Sequence, residues 1–167
     1  MKKLITAVEI GSISENLIIL SDDLEWLHNN FFASFKIIIA GGGLVLNQKG
    51  ETLMMFRKKR WDLPKGKIEK EESIKEGAMR EIEEETSVKV KRIIKKLGKT
   101  YHTYKLKDKW VLKETHWFLM EGDGTSKLVP QTEEDIEKVG WFDDKTIKQN
   151  LKISYVSIKD VFDFNKI

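Results

Sequence analysis

One segment constrains this chain more than any other, the sixteen residues SIKEGAMREIEEETSV from Ser73 to Val88. Ser73 and Glu76 have the spacing of a capping box, in which the hydroxyl and the carboxylate each accept from a backbone amide at the helix start. The box predicts a helix beginning at Ile74 and running to Thr86. At about 100° per residue, Ile74, Ala78, Met79 and Ile82 form one apolar arc, the face that such a helix lays on a sheet. Glu76 and Glu83 point the other way, into water. Glu81, Glu84 and Glu85 follow the i, i+3, i+4 rule and share a third face that borders the buried arc. Gly77 lies on that face one turn earlier, where the missing side chain leaves room for another backbone to approach. Like charges at this spacing cost about 0.2–0.5 kcal/mol per pair, part of which Arg80 offsets through Glu84, four residues on. The face is therefore either a solvated charged surface or a place where a hard divalent cation gathers carboxylate oxygens. The triplet alone supports both.

Strands surround this helix. KIIIAGGGLVL (Lys36–Leu46), the turn NQKG and ETLMMFRKK read as a hairpin. Its three consecutive glycines weaken a strand unless a bulge, a sheet crossing or a close backbone approach requires them. Beyond the helix, VKRIIKKLGKTYHTYKL and LKETHWFLMEG form a second hairpin turning near Lys107–Lys109, and KVGWFD (Lys138–Asp143) is a short buried strand. DDKTIKQNL and SYVSIKDVFDF read as helices, the latter with Val156, Val161 and Phe162 as core residues. Upstream, LIIL (Leu17–Leu20) suits a short strand. Ser21 then caps a helix with Leu24, Leu27, Phe31 and Phe32 on its apolar side. The expected class is α+β, a mixed sheet flanked by helices. The expected division is an N-terminal strand–helix extension over 1–35, packed on a main domain of 36–167.

At 167 residues the chain can bury one substantial core. Net charge is only +3, but lysine and arginine dominate Arg57 to Lys113, through RKKR and KVKRIIKK, while TEEDIE is acidic. The basic stretch suits a phosphate-bearing ligand, and equally a solvated face. With no cysteine, disulfides, cysteine metal ligands and thiol nucleophiles are excluded, which fits a reducing compartment. MKKLITAVEI begins like a signal peptide, but Glu9 breaks the apolar run. No stretch approaches the roughly 18 apolar residues of a membrane span. A cytoplasmic protein is expected.

The full pattern is Gly66, five residues, Glu72, seven residues, then Arg80-Glu81-Ile82-Glu83-Glu84-Glu85-Thr86-Ser87-Val88. It resembles the signature of the Nudix hydrolases, which cleave nucleoside diphosphates linked to another group. Eight of the nine defined positions match: Gly66, Glu72, Arg80, Glu81, Ile82, Glu84, Glu85 and Val88. Ser87 stands where that family has glycine. A residue just past a helix commonly takes the left-handed conformation, which serine adopts at a cost of roughly 1 kcal/mol. WDLPKGKIE and AGGGLVL resemble the flanking segments of the same family, and the resemblance spans about Lys36 to Asp143.

The resemblance implies an αβα sandwich with the signature as loop–helix–loop. It also implies Mg²⁺, with Mn²⁺ as substitute, held chiefly by Glu84 and Glu85. Glu81 would be a further ligand or the base that acts on the attacking water. Arg80 would orient the carboxylates, Gly66 would offer its carbonyl to the metal, and Glu72 would be structural or an outer-shell ligand. A later acid joins the metal site in this family. Glu133, Glu134 and Asp135 precede Trp141 here; Asp135 has the favoured spacing and Glu134 comes second. Lys65, Lys67, Arg57 and Lys59 are the candidates to meet phosphate.

WDLPKGKIEKEES and THWFLMEG look similar to the branch acting on diadenosine polyphosphates, in which an aromatic ring stacks on adenine. Tyr101, Tyr104 and Trp117 are candidates, with His102 and His116 as further polar groups. ADP-ribose, a sugar nucleotide and an oxidised nucleoside triphosphate are the other substrates. The implied partner is a small-molecule nucleotide, with neither a membrane nor nucleic acid expected; a homodimer would form on residues 21–35. The competing functions are a nucleotide sensor that does not hydrolyse and an RNA-end pyrophosphohydrolase.

Overall fold

The computed structural model describes residues 18–165 together with Lys3, Thr6 and Ala7. The chain separates into two compact units, residues 1–38 with 103–112, and residues 39–102 with 113–167. Its elements are α1 (Leu24–Phe32), β1 (Lys36–Leu46), β2 (Thr52–Arg57), β3 (Arg60–Asp62), β4 (Lys65–Lys67), α2 (Ile74–Thr86), β5 (Val90–Leu106), β6 (Lys109–Gly122), β7 (Ile136–Phe142), α3 (Asp144–Asn150) and α4 (Val156–Asn165). One mixed sheet has the order β3-β2-β1-β6-β5, with β4 paired to β1 and β7 to β2. Among the described residues no helix is long and apolar enough to cross a membrane.

In the first unit, Ile18–Leu20 is irregular rather than a strand, and Leu17 lies outside the described residues. Helix α1 is capped by Asp23, not by the expected Ser21. The Asp23 carboxylate accepts from the Trp26 amide at 2.8 Å, and the Ser21 hydroxyl accepts from the amide of Asp23 itself. Both residue types make good caps, and the acid two positions later captures the free helix amide. The turn between β5 and β6 is Lys107–Asp108, with Lys107 at φ 55°.

The second unit is an αβα sandwich, and adjacent residues of single strands show why. Leu44, Met54, Trp117 and Leu119 pack with Ile147, Ile158 and Val161 of α3 and α4. Their chain neighbours Val45, Leu53, Phe118 and Met120 pack with Ala78 and Ile82 of α2. A strand alternates its side chains between two faces, so continuous apolar runs require a layer of helices on each. Val156 is exposed, and Ile158 takes the core place expected of it. Strand β7 starts earlier than KVGWFD. Its buried anchor is Ile136, while Val139–Phe142 are only partly covered.

The predicted return strand to Lys59 ends at Arg57. Lys58 and Lys59, at φ 49° and 61°, form a two-residue turn into β3, whose pairing closes at Arg57↔Arg60. That geometry usually carries Asn-Gly, so two lysines hide it from sequence reading. The β1 glycines answer to close approach. A Cβ on Gly41 would fall 2.8 Å from Ala78 Cβ, and one on Gly42 would fall 2.6 Å from Lys65 Cβ. Bare backbone there lets α2 and β4 close on the same strand.

Helix α2 runs over the predicted residues, and both capping-box bonds form. At its other end Ser87 has φ 61° and ψ 16° and donates its amide to the Glu83 carbonyl at 2.7 Å. Serine thus adopts the left-handed cap that glycine adopts more cheaply. Ser87→Gly is therefore expected to stabilise the fold by about 0.5–1 kcal/mol. The readout is a higher denaturant midpoint at unchanged slope. An unchanged or lower midpoint would show that the cap is not strained.

Candidate active site

The carboxylates of α2 are held by one guanidinium. Arg80 Nε donates to Glu72 Oε2 at 3.0 Å, and Nη2 donates to Glu72 Oε1 at 2.7 Å. Nη2 also reaches the Lys67 carbonyl at 3.1 Å, while Nη1 donates to Glu81 Oε1 at 2.9 Å and Glu84 Oε2 at 2.8 Å. All five N–H donors are thereby committed. The paired hydrogen bonds from Arg80, with one from the Glu69 amide, hold the Glu72 carboxyl down to about 2, and the same contacts raise Arg80. Glu72 therefore ties the loop before α2 to the helix.

Two glycines make room for this clasp. A Cβ on Gly77 would lie 2.6 Å from Glu72 Oε1 and 2.6 Å from Ile68 Cδ1, so side chains rather than a second backbone fill that space. A Cβ on Gly66 would overlap the Glu81 carboxylate outright.

Glu85 has a different environment. It is 0% exposed, accepts from the Lys65 amide at 2.7 Å and is reached by Arg57 Nη1 at 3.4 Å. Burial pushes its pKa up to about 7 against the pull of Lys65 and Arg57, and the negative charge of Glu134 adds to the rise. Burial also raises Glu81; Arg80 opposes the rise, and Glu84 and Glu134 add to it. Glu83 faces solvent, as its helix position predicts, and Glu84 is exposed at the rim.

Of the later acids, Glu134 is the one brought into this group. Its Oε2 lies 3.7 Å from the Arg57 Nη1 that also serves Glu85. Asp135, expected from spacing, takes a left-handed conformation at φ 61° that ends a short turn of 3-10 helix. Its carboxylate lies 3.9 Å from exposed Lys58, away from Arg57. Glu133 is exposed.

Among the described residues no three His, Asp or Glu side chains stand close enough together to hold a metal ion as they are. Arg80 accounts for part of this, since it engages both Glu81 and Glu84. The donor chemistry still fits a hard divalent cation. Glu81, Glu84, Glu85 and Glu134 supply only carboxylate oxygens, and two of the four are buried where ionisation is disfavoured. Added positive charge at that point would relieve them.

The remaining candidates divide clearly. Lys65 Nζ donates to Asp62 Oδ2 at 2.5 Å, with Asp62 buried; Lys67 and Lys59 are exposed. Trp117 is a core residue whose Nε1 donates to Thr100 Oγ1 at 2.8 Å, which removes it as a stacking platform. His116 is buried 2.8 Å from Glu114, which also binds Lys99, and burial lowers its pKa. Tyr101 and His102 are exposed, and Tyr104 belongs to the first unit. Asp62 and Lys113 escaped the sequence reading. Neither carries a local signal, since Asp62 shares its three-residue strand with Arg60 and Lys113 is followed directly by Glu114.

A metal-free protein with these carboxylates is expected to lose stability as pH rises. The Glu85 carboxyl has a higher pKa folded than unfolded, so between pH 4.5 and about 7 the unfolded chain binds fewer protons. Glu81 acts with the same sign. Glu72 acts oppositely, its contribution being lost only as pH falls toward about 2. In a chelator, the melting temperature should fall from pH 5 to pH 8 by the equivalent of roughly 2–3 kcal/mol. Glu85→Gln should flatten that profile and raise its alkaline end. A profile that the substitution leaves unchanged would refute the assignment.

Residues 37–159 match the model of the NUDIX domain. The fold is similar to the MutT protein of Methanosarcina mazei Go1, at 24% identity and TM-score 0.60 over 79% of this chain and 95% of that one. It is also similar to a MutT NUDIX hydrolase from Burkholderia pseudomallei, at 20% identity and TM-score 0.57 over 77% and 97%. A third similar structure is a C. elegans Ap4A hydrolase binary complex, at 17% identity and TM-score 0.56 over 77% and 95%. At such identities these structures speak to the fold. The domain match covers most of the chain and contains the whole loop–helix–loop that Arg80 organises, and the chain belongs to the Nudix hydrolase family.

Proposed function

We propose that the protein hydrolyses a pyrophosphate bond in a nucleoside diphosphate-linked substrate, with Mg²⁺ as cofactor and Mn²⁺ as substitute, and that diadenosine polyphosphates are the leading substrate class. The observation that supports this most is the burial of Glu81 and Glu85, with the charge of Glu134 acting on both, that of Glu84 on Glu81, and Arg57 and the Lys65 amide held at Glu85. The ion, when bound, would screen the phosphate charges and polarise the phosphorus under attack. Glu84 and Glu85 would be its principal ligands, with Glu134 and the Gly66 carbonyl completing the set.

The chain's own groups do the rest. Glu81 Oε1 is occupied by Arg80, which leaves Oε2 to take the proton of the attacking water. Burial raises the pKa of this carboxyl above the ordinary glutamate value, which makes it a stronger base. Water oxygen bonds to phosphorus, the bridging P–O bond breaks, and the departing phosphate carries the electron pair. Lys67 and Lys59 attract the phosphate chain from solvent, and Arg57 and Lys65 neutralise it near the carboxylates. Ser87 ends α2 as a glycine would, so this departure from the signature lends nothing to a sensor that does not hydrolyse. Residues 36–167 are the hydrolase domain in this reading, and 1–35 an extension of it.

The test is product release from diadenosine tetra- and hexaphosphate, ADP-ribose, UDP-glucose, oxidised dGTP and triphosphorylated RNA, with and without Mg²⁺. Metal-dependent turnover of a diadenosine polyphosphate is expected, and binding without turnover anywhere in the panel would overturn the hydrolytic reading. Glu81→Gln should lower turnover by about 10²–10⁴-fold, and Glu84→Gln and Glu85→Gln by orders of magnitude with the fold retained. Glu83→Gln should leave turnover close to that of the parent. A Glu83 effect as large as the others would show that the assigned helix faces are wrong.

A further inference from the structure

The hydrolytic reading leaves Lys113 unused. It lies on β6, partly buried, with Thr115 and Trp117 following it on the same face of the strand. Four charged groups from three other elements act on it. Lys65 of β4 and Arg57 of β2 oppose its protonated form, while Glu85 and Glu81 of α2 favour it. The first two cations are already engaged, Lys65 with Asp62 and Arg57 with Glu85 and Glu134. The Lys113 ammonium has no hydrogen bond or ion pair with any described residue.

That placement is costly. A partly buried ammonium with two like charges nearby is unfavourable unless an anion compensates it. The nearby carboxylates compensate it only in part, because Glu85 accepts from the Lys65 amide and Arg57, and one oxygen of Glu81 is held by Arg80. Burial, followed by Lys65, holds its pKa below the ordinary lysine value, as expected of a cation awaiting a counter-charge. We infer that Lys113 binds a phosphoryl oxygen of the substrate on the Lys65 side of the sheet, the face it shares with Trp117, where the Lys65 Cβ and the Trp117 ring both lie against Gly42. The inference rests on the reading that this site takes a phosphate anhydride. It makes Lys113 a substrate-positioning residue, with an oxyanion as the ligand for its unused donors.

Lys113→Met keeps the length of the side chain and removes the charge, while Lys113→Arg keeps the charge. Each full-length variant is compared with the parent in three ways: thermal melting without ligand, calorimetric binding of inorganic tripolyphosphate in Mg²⁺, and kcat and KM on diadenosine tetraphosphate. Lys113→Met should melt at or above the parent temperature, because an uncompensated buried charge is gone. It should bind tripolyphosphate about 10-fold more weakly or worse, the worth of one charge-assisted hydrogen bond. KM should rise more than kcat falls, and Lys113→Arg should recover part of both losses.

Parental tripolyphosphate binding in Lys113→Met overturns the inference, as does a parent that does not bind tripolyphosphate. A large drop in melting temperature that arginine fails to restore assigns Lys113 a structural role and also overturns it. Failure of hydrolysis itself is separable. A parent that cleaves no anhydride yet binds tripolyphosphate through Lys113 would retain this site and lose the hydrolytic reading.

Discussion

The Arg80 guanidinium is the interaction on which the rest of the signature depends. Helix α2 carries four acids in its last two turns, Glu81, Glu83, Glu84 and Glu85, and pairs of like charges on one face work against the helix. Arg80 binds two of them and anchors itself on Glu72 through two hydrogen bonds of 3.0 and 2.7 Å. A bidentate pair fixes orientation as well as charge, which a lysine at this position would not do. Because Nη2 also holds the Lys67 carbonyl, the same group fixes where the preceding loop lies on the helix. Gly66 and Gly77 follow from that placement: each lies where a side chain would displace a carboxylate of the clasp.

What the clasp positions depends in turn on the sheet. Strand β1 is bare at Gly41 and Gly42, so α2 and β4 both approach it closely. That brings the Lys65 amide to Glu85 at 2.7 Å and the end of β2 to the same carboxylate through Arg57. A break in β2–β7 register at Phe56/Arg57, followed by a tight turn of two lysines with positive φ, sets how β2 delivers Arg57. Backbone departures of this kind persist where the surrounding structure over-determines them. Here they cluster against the carboxylates.

Much of this was legible in the chain. Local chemistry specified α2 almost to the residue, since the capping box, the apolar arc and the left-handed cap each act within a few positions of one another. The paired hairpins were legible from their strand runs and turns, whereas the αβα layering came with the family resemblance, and the structure shows its cause in apolar runs that face helices on both sides. Where reading failed, the outcome turned on contacts distant in sequence or on competing local choices. Ser21 and Asp23 are both good caps, and only the folded backbone decides that Asp23 meets the Trp26 amide. Asp135 and Glu134 differ by one position, and the left-handed turn at Asp135 sends their carboxylates to different partners. Trp117 has the composition of a stacking residue, yet its indole N–H is spent on Thr100 inside the core. Lys113 gives no local signal of its surroundings, because the charges around it come from β2, β4 and α2.

The three glutamates of the triplet are alike in sequence and unlike in state, and burial makes the difference. Glu84 stands half exposed at 49%, so solvent screens it and Arg80 suffices as its partner. Glu81 is covered by the loop at Gly66 and keeps one oxygen clear of Arg80. Glu85 is sealed, with its two oxygens assigned to Lys65 and Arg57 from different strands. Burial disfavours charge on the latter two more than their partners restore it. On this face burial raises Glu81 and Glu85, and added positive charge would favour the ionised form of both. The three acids differ in depth, and the depth of Glu81 and Glu85 is set by where β4 crosses the helix, with Gly66 against Glu81 and the Lys65 amide on Glu85.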